Sequence, residues 1–405
     1  MMNSVLTTKP FLDSIAPTAP AAPITPIALY IHWPFCVSKC PYCDFNSHVR
    51  GAVDQAEWLS ALLCDMEYEA ALTAPRALSS IFFGGGTPSL MPQATVAALI
   101  EKAAQLWSFT SDIEITLEAN PSSVEAAKFA GLASAGVNRV SLGLQALHDD
   151  ALTFLGRAHT VHESLAALGI AQREFARVSI DLIYARPDQT EAQWQAELAQ
   201  ALSFGTSHMS LYQLTIEPGT RFASDVRTGA FVPANDDYAA GLFEITQAMT
   251  ADAGIPAYEI SNHARAGQQS RHNLTYWRYQ DYAGIGPGAH GRRLNTATQR
   301  HKKPENYLSA VARNGHGIKA EDALNPATRA TEALLMGLRL SEGVDLADIA
   351  QRTGLPQNAM INAAAAAKIA DLGMLTQHQG RLTITPKGMP LLDAILPQIV
   401  AIDAA

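Results

Sequence analysis

Short runs rich in β-branched and aromatic residues alternate with longer helical patterns from about Ile27 onward, and this alternation limits the fold more than any other feature of the chain. The strands are read in IALYIHWP, LSSIFFGG, DIEITLEAN, NRVSLGLQ, RVSIDLIYA and HMSLYQLTI. Helical spacing of apolar residues fills the intervals, as in DQAEWLSALLCDMEYEAAL and ATVAALIEKAAQLW. Six βα units in succession predict an α/β fold, a partial TIM-like (β/α)6 barrel whose chemistry gathers at the carboxyl ends of its strands. The regularity breaks after AYEISNHA, and a loop region containing Gly and Arg runs to about Arg300. Beyond it, three helical patterns and two short β-runs around a Gly turn follow the order of a winged helix. The expected organisation is a disordered tail over residues 1–25, a barrel domain over 26–300 and a smaller helical, winged-helix-like domain over 301–405.

The 405 residues carry a formal charge of -9 from acids and bases that mostly alternate, so no basic stripe marks a nucleic-acid groove. The third helical pattern of the winged unit is largely Ala and lacks the basic side chains of a DNA-reading helix. No apolar run reaches the length of a bilayer span, and the N-terminal stretch lacks the apolar core of a signal peptide. Three of only four cysteines fall within eight positions, a distribution unlike a secreted disulfide framework. A cytoplasmic protein with no membrane span and no nucleic-acid partner is expected. Peripheral membrane contact and homodimerisation stay open on the sequence.

Those three cysteines, in Cys36-Val-Ser-Lys-Cys40-Pro-Tyr-Cys43, follow the first strand directly. Thiolates are soft ligands suited to iron–sulfur chemistry, and a loop of this length can wrap a 4Fe–4S cluster. Three sulfurs for four irons leave one iron for an external ligand, which the amino and carboxylate groups of S-adenosylmethionine can supply. A zinc site remains the alternative, with His32 or His48 completing the ligand set, as do three merely buried thiols. Cys64 lies in a predicted helix, far along the chain, and reads as an inert core thiol.

The other strand ends carry matching signals. Gly84-Gly85-Gly86-Thr87-Pro88 closes the second strand, where missing side chains let the backbone approach a ligand. Glu118 and Asn120 close the third, and Gln145 the fourth; Arg157 follows, and Asp181 sits within the apolar fifth strand. A charge in such a strand needs a partner or a ligand, and an ion pair between Arg157 and Asp181 would meet that need internally.

With these residues in view the chain resembles the radical-SAM superfamily and, within it, the coproporphyrinogen-oxidase-like branch, over about Ile27 to the C-terminus. The branch opens with Tyr-x-His-x-Pro-Phe-Cys, here Tyr30-Ile-His32-Trp-Pro34-Phe35-Cys36. The resemblance implies that Cys36, Cys40 and Cys43 hold the 4Fe–4S cluster. It also implies that Tyr30, Tyr42, Gly85, Gly86, Thr87, Glu118, Gln145, Arg157 and Asp181 contact S-adenosylmethionine or its surroundings. One departure follows the fifth strand, where Tyr-Gly-Leu-Pro-x-Gln-Thr of the branch is Tyr184-Ala-Arg-Pro187-Asp-Gln189-Thr190 here.

Two features separate the branch's oxidase from its haem chaperones. The oxidase pattern has a fourth cysteine two places beyond the third, whereas this chain has Phe45, as the chaperones do. The chaperones also carry His-Asn-x-x-Tyr-Trp, associated with haem, and this chain reads His272-Asn273-Leu-Thr-Tyr276-Trp277. Imidazole can ligate haem iron, and the aromatic pair offers flat apolar faces to a porphyrin. Arg271, Arg278, Arg292 and Arg293 are near enough in sequence to meet propionates, or are simply solvated. The resemblance thus implies haem as a third cofactor and an acceptor haem protein as partner. The competing expectations are an oxygen-independent coproporphyrinogen III oxidase, generating a 5'-deoxyadenosyl radical, and a related methyltransferase.

Overall fold

The computed structural model describes residues 26–401; the tail expected over residues 1–25 lies outside the described residues. Six parallel strands run side by side in chain order: β1 (Ile27–Trp33), β2 (Ala77–Gly85), β3 (Ser108–Ala119), β4 (Arg139–Gln145), β5 (Arg177–Tyr184) and β6 (His208–Gln213). They form an open, partial barrel, as expected. Strand β7 (Asn262–Ala264) adds antiparallel to β6 at one edge. At the other edge β8 (Tyr282–Ile285) joins β1 in parallel, and β9 (His290–Arg293), β10 (Thr296–Arg300) and β11 (Ile318–Ala323) continue antiparallel, completing an 11-stranded sheet. The region read from sequence as loop up to Arg300 is therefore a short helix, Arg271–Trp277, followed by sheet, and the sheet runs on through Ala323. The boundary expected at residue 300 is corrected accordingly, because residues 318–323 hydrogen-bond to β10 rather than to the C-terminal unit.

Period-two alternation assigns the two faces of the sheet. Leu29, Ile31, Ile81, Phe83, Ile115, Leu117, Val140, Leu142, Ile180, Leu182, Met209 and Leu211 pack outward in one core beneath the helices. The intervening positions turn inward and are largely polar: Ser80, Glu114, Thr116, Glu118, Arg139, Ser141, Ser179, Asp181, His208 and Ser210. A closed barrel fills its interior with branched apolar side chains; this half-barrel presents a polar concave wall instead. Capping fixes where the covering helices begin: Thr160 with Glu163, and Thr190 with Gln193, make reciprocal capping boxes.

The long helix Gln55–Thr73 is tied to the sheet extension by buried charge. Asp65 and Glu69 both accept from Arg300, which is fully buried; Glu69 also accepts from Arg293, and Asp65 from the Tyr307 hydroxyl at 2.9 Å. The C-terminal unit has its own core around Leu334, Leu346, Ile369, Leu382 and Ile395. Its helices Pro326–Gly337, Leu346–Thr353 and Ala363–Asp371 precede a β-hairpin, Leu375–His378 with Arg381–Ile384, and Val344–Asp345 adds a third strand. Among the described residues no helix is long and apolar enough to cross a membrane.

Replacing Arg300 by Met leaves two buried carboxylates without their shared cation. The expected cost is about 3–5 kcal/mol, read as a lower midpoint in urea unfolding; a midpoint unchanged from the parent protein would show that the knot contributes nothing.

Candidate functional site

The cysteine loop leaves the sheet at Trp33, its two ends pair in parallel as Phe35–Cys36 with His48–Val49, and further backbone hydrogen bonds hold it to the second strand end. Gly86 N–H donates to Trp33 O at 2.7 Å, Thr87 N–H to Phe35 O at 2.9 Å, and His48 N–H to Pro34 O at 2.7 Å. Gly86 is needed for this approach, since a Cβ there would stand 2.7 Å from Phe35 O. Gly85, at φ +109, aims its N–H at Glu118 Oε2, 3.3 Å away. The glycine turn thus directs its amides into the chain itself and sets the loop against the mouth of the half-barrel.

Cys36, Cys40 and Cys43 are all half-buried free thiols on this loop. Thr87 Oγ1 donates to Cys36 Sγ at 3.4 Å, and Arg157 Nη1 donates to Cys40 Sγ at 3.4 Å. Burial pushes the Cys36 and Cys43 thiols up, and neighbouring thiols on the loop push the same way. Arg157 joins three elements: besides Cys40, its Nη2 reaches Asn120 Oδ1 at the end of β3 and Gly143 O on β4. Its Nε is buried with no hydrogen-bond partner among the described residues. Tyr42 packs against Phe222, and burial raises its pKa. Phe45 is 63% exposed on the outer side of the loop.

No ion pair joins Arg157 to Asp181 among the described residues, so that internal arrangement is set aside; Asp181 instead accepts from Ser141 Oγ at 3.0 Å. Asp181 also stands in register with Ser210 on β6. Burial raises the Asp181 carboxyl to about 6. Burial, aided by the nearby Asp181 charge, raises Glu118 to about 8. Gln145 adopts φ +68 at the strand end, a conformation uncommon outside glycine. The departure after β5 is absorbed locally: Ala185 takes φ +56, and Arg186 makes a buried ion pair with Glu197 at 2.5 Å. A cavity of about 1220 Å3 opens beside the loop, with Lys39, Cys40, Cys43, Phe154, Phe222 and Phe231 among its walls.

His32 donates from Nε2 to Asn46 O at 2.9 Å, which leaves Nδ1 to accept from the Tyr30 hydroxyl at 2.9 Å. Burial lowers its pKa to about 4. With both nitrogens engaged, His32 is not a fourth metal ligand. Among the described residues no three His, Cys, Asp or Glu side chains are gathered to hold a single metal ion. Cys64 donates to Gly315 O at 3.3 Å, away from the loop.

The helix Arg271–Trp277 closes the half-barrel lower down. His272 is buried, with Nδ1 3.1 Å from Ser80 Oγ and Nε2 bonded to the Tyr276 hydroxyl, and burial lowers its pKa to about 3. Its ring stacks on Phe82 at 4.8 Å and on Tyr30 at 6.0 Å. Tyr30 therefore touches both candidate groups of residues. Asn273 Nδ2 donates to the Tyr258 hydroxyl at 3.4 Å. Trp277 turns the other way, toward Leu340 and Arg339 of the C-terminal unit. The imidazole expected to be open to haem iron is thus a satisfied interior side chain, and the motif divides between two faces of one short helix. Of the four nearby arginines, Arg271 pairs with Asp112, Arg278 with Glu342, and Arg293 with Glu69 and Glu321. Arg292 stacks on Tyr279 at 3.5 Å.

The Radical SAM superfamily model matches residues 30–200, and the HemN C-terminal domain model matches residues 324–391. Heme chaperone HemW of Escherichia coli K12 is 36% identical over 390 residues, spanning 93% of this chain and 99% of that protein. The chain belongs to the radical-SAM superfamily. Within it, this radical-SAM protein falls in the coproporphyrinogen-oxidase-like branch. Radical S-adenosyl methionine domain-containing protein 1, mitochondrial, of Bos taurus is 36% identical, covering 97% of this chain and 91% of that one. Coproporphyrinogen III oxidase (HemN) of Escherichia coli shares the fold at a TM-score of 0.78, with 23% identity over 93% of this chain and 90% of that one.

Sequence reasoning passed over Ser141, Ser210 and Tyr212, which stand on the inner face beside Asp181 and Glu118. Their signal was the polar residue at every second place of otherwise apolar strands.

Glu118 keeps its proton to about pH 8 when folded, against an ordinary value of 4.5, so the folded state binds the extra proton between those limits. Stability contributed by the protonated form is complete below pH 4.5 and is lost as pH rises toward 8, at up to about 1.4 kcal/mol per pH unit. Glu118→Gln removes that loss. Urea unfolding of cluster-free protein from pH 5 to pH 8 is expected to show the variant gaining steadily on the parent; parallel curves would refute the buried, protonated carboxyl.

Proposed function

We propose that this radical-SAM protein is a haem chaperone, binding haem and passing it to an acceptor haem protein. The observation that carries the reading is its end-to-end relation to a protein named as a haem chaperone, covering 99% of that protein. Phe45, where the oxidase pattern has a further cysteine, and the His272–Trp277 motif support the same choice.

On this reading Cys36, Cys40 and Cys43 would hold a 4Fe–4S cluster. The donor set supports it: three soft thiols share one loop, and beside them the Nε of Arg157 is buried with no partner among the described residues. Such a cluster would supply a reducing electron and one iron free to be chelated by the amino and carboxylate groups of S-adenosylmethionine. The chain's own residues would do the rest. Arg157 offsets thiolate charge at Cys40, and Thr87 hydrogen-bonds Cys36. Tyr30, Tyr42, Gly85, Gly86 and Gln145 shape the mouth around the methionine and nucleoside parts. Glu118 and Asp181, held largely protonated or partly so by burial, become the acceptors that a sulfonium or ribose hydroxyls would engage. Lower down, Trp277 offers a flat apolar face to haem, while His272, Asn273 and Tyr276 fix the helix that carries it. The clustered, unpaired thiols suit a reducing compartment such as the bacterial cytoplasm.

Anaerobically reconstituted protein titrated with haemin is expected to give a saturable Soret shift, and the loaded protein to deliver haem to an apo-haem protein. Cys36→Ala is expected to lose iron and acid-labile sulfide. Absence of saturable haem binding would remove the chaperone reading. Conversion of coproporphyrinogen III to protoporphyrinogen, with reductant and S-adenosylmethionine, would replace it with the oxidase.

A further inference from the structure

A cleft of about 680 Å3 lies where the half-barrel meets the C-terminal unit, a size suited to a cofactor-sized ligand. Six guanidiniums line it: Arg76, Arg278, Arg292, Arg329, Arg352 and Arg381. Four of them have carboxylate partners on the same walls, Arg76 with Asp281, Arg278 with Glu342, Arg352 with Asp348, and Arg381 with Asp345 at 4.0 Å. Arg292 and Arg329 have no carboxylate within ion-pair distance among the described residues. Arg292 lies flat on the Tyr279 ring, its Nη2 donates to Gln280 O, and its Nε is buried with no partner among the described residues. Arg329 donates to the Arg352 carbonyl and also faces Tyr279. An apolar stretch of wall is formed by Trp277 with Ala333, Leu340, Val344 and Ile349, beside the polar Gln280, Asn295 and Thr353.

We infer that this interdomain cleft receives the two propionates of haem, with Arg292 and Arg329 as their charge partners and Trp277 against one porphyrin face. The inference rests on the haem-chaperone reading and gives it a location. Two uncompensated cations balance a dianion, and a guanidinium with a free buried N–H is ready to bond a carboxylate. The larger cavity beside the cysteine loop fits such a ligand less well, because Asp150, Asp188 and Asp225 line it against Lys39, Arg186 and Arg221, and Arg186 is already paired with Glu197. Among the described residues no His, Cys or Met lines the interdomain cleft, and the Tyr279 hydroxyl there is bonded to Glu332. The cleft therefore grips the acidic edge and leaves the iron's axial positions to a ligand from outside it, as a hand-over to an acceptor requires.

The test compares haemin with its dimethyl ester, which keeps the ring and iron but lacks both carboxylates. Wild type is expected to bind haemin about ten- to a hundredfold more tightly than the ester. Arg292→Gln with Arg329→Gln is expected to abolish that preference while leaving ester affinity unchanged, and Arg329→Gln alone to reduce it. Equal affinity of wild type for the two ligands, or a preference that survives in the double variant, would overturn the cleft while the chaperone reading stands. Failure of wild type to bind haemin at all would overturn the chaperone reading itself.

Discussion

The cysteine loop stands or falls with the backbone contact between the first two strand ends. Residues 37–47 contain no helix or strand, yet the thiols occupy a defined place because Trp33 and Phe35 accept from Gly86 and Thr87. Each such hydrogen bond is worth only about 1 kcal/mol net, but together they carry the parallel pairing beyond the sheet and into the loop. The contact works only where no Cβ intervenes, which gives the glycine run a steric meaning apart from any ligand. Arg157 then binds the middle of the loop to the third and fourth strands, so the first two of the three thiols each have a neighbour from the sheet's rim.

Below the loop, the concave wall is polar where most barrels are greasy. Burying Glu118 and Asp181 near one another costs stability, a common property of functional surfaces. The ring of Tyr30 links this wall to the motif helix, because its hydroxyl meets His32 above while its face stacks with His272 below. Movement of that helix would be felt at Tyr30 without any intervening loop.

Much of the fold was legible because its strands obey a strict period. The outward Ile, Leu and Val positions announce the βα units, and the three cysteines announce the loop. What escaped depended on pairings distant in sequence. Tyr282–Ile285 is a four-residue strand whose partner, β1, lies some 250 positions earlier, and nothing local marks it. Asp65 and Glu69 look like the solvated face of an amphipathic helix until Arg293 and Arg300 arrive from the far end of the sheet. Arg186 stands in the sequence only as a departure from the branch pattern, because its buried partner, Glu197, lies on the following helix. His272 looked available because a six-residue motif carries no information about which faces are enclosed.

The charged knot on the long helix makes the two flanks of the sheet unequal. Beside β1, a ladder of antiparallel strands is clamped by interior ion pairs. Beside β6 the described residues supply only Asn262–Ala264, three residues long, with an imidazole at His263 whose two nitrogens are buried and unbonded among them. The two margins of the half-barrel therefore resist separation unequally, three residues of pairing on one side standing against a ladder locked by buried ion pairs on the other.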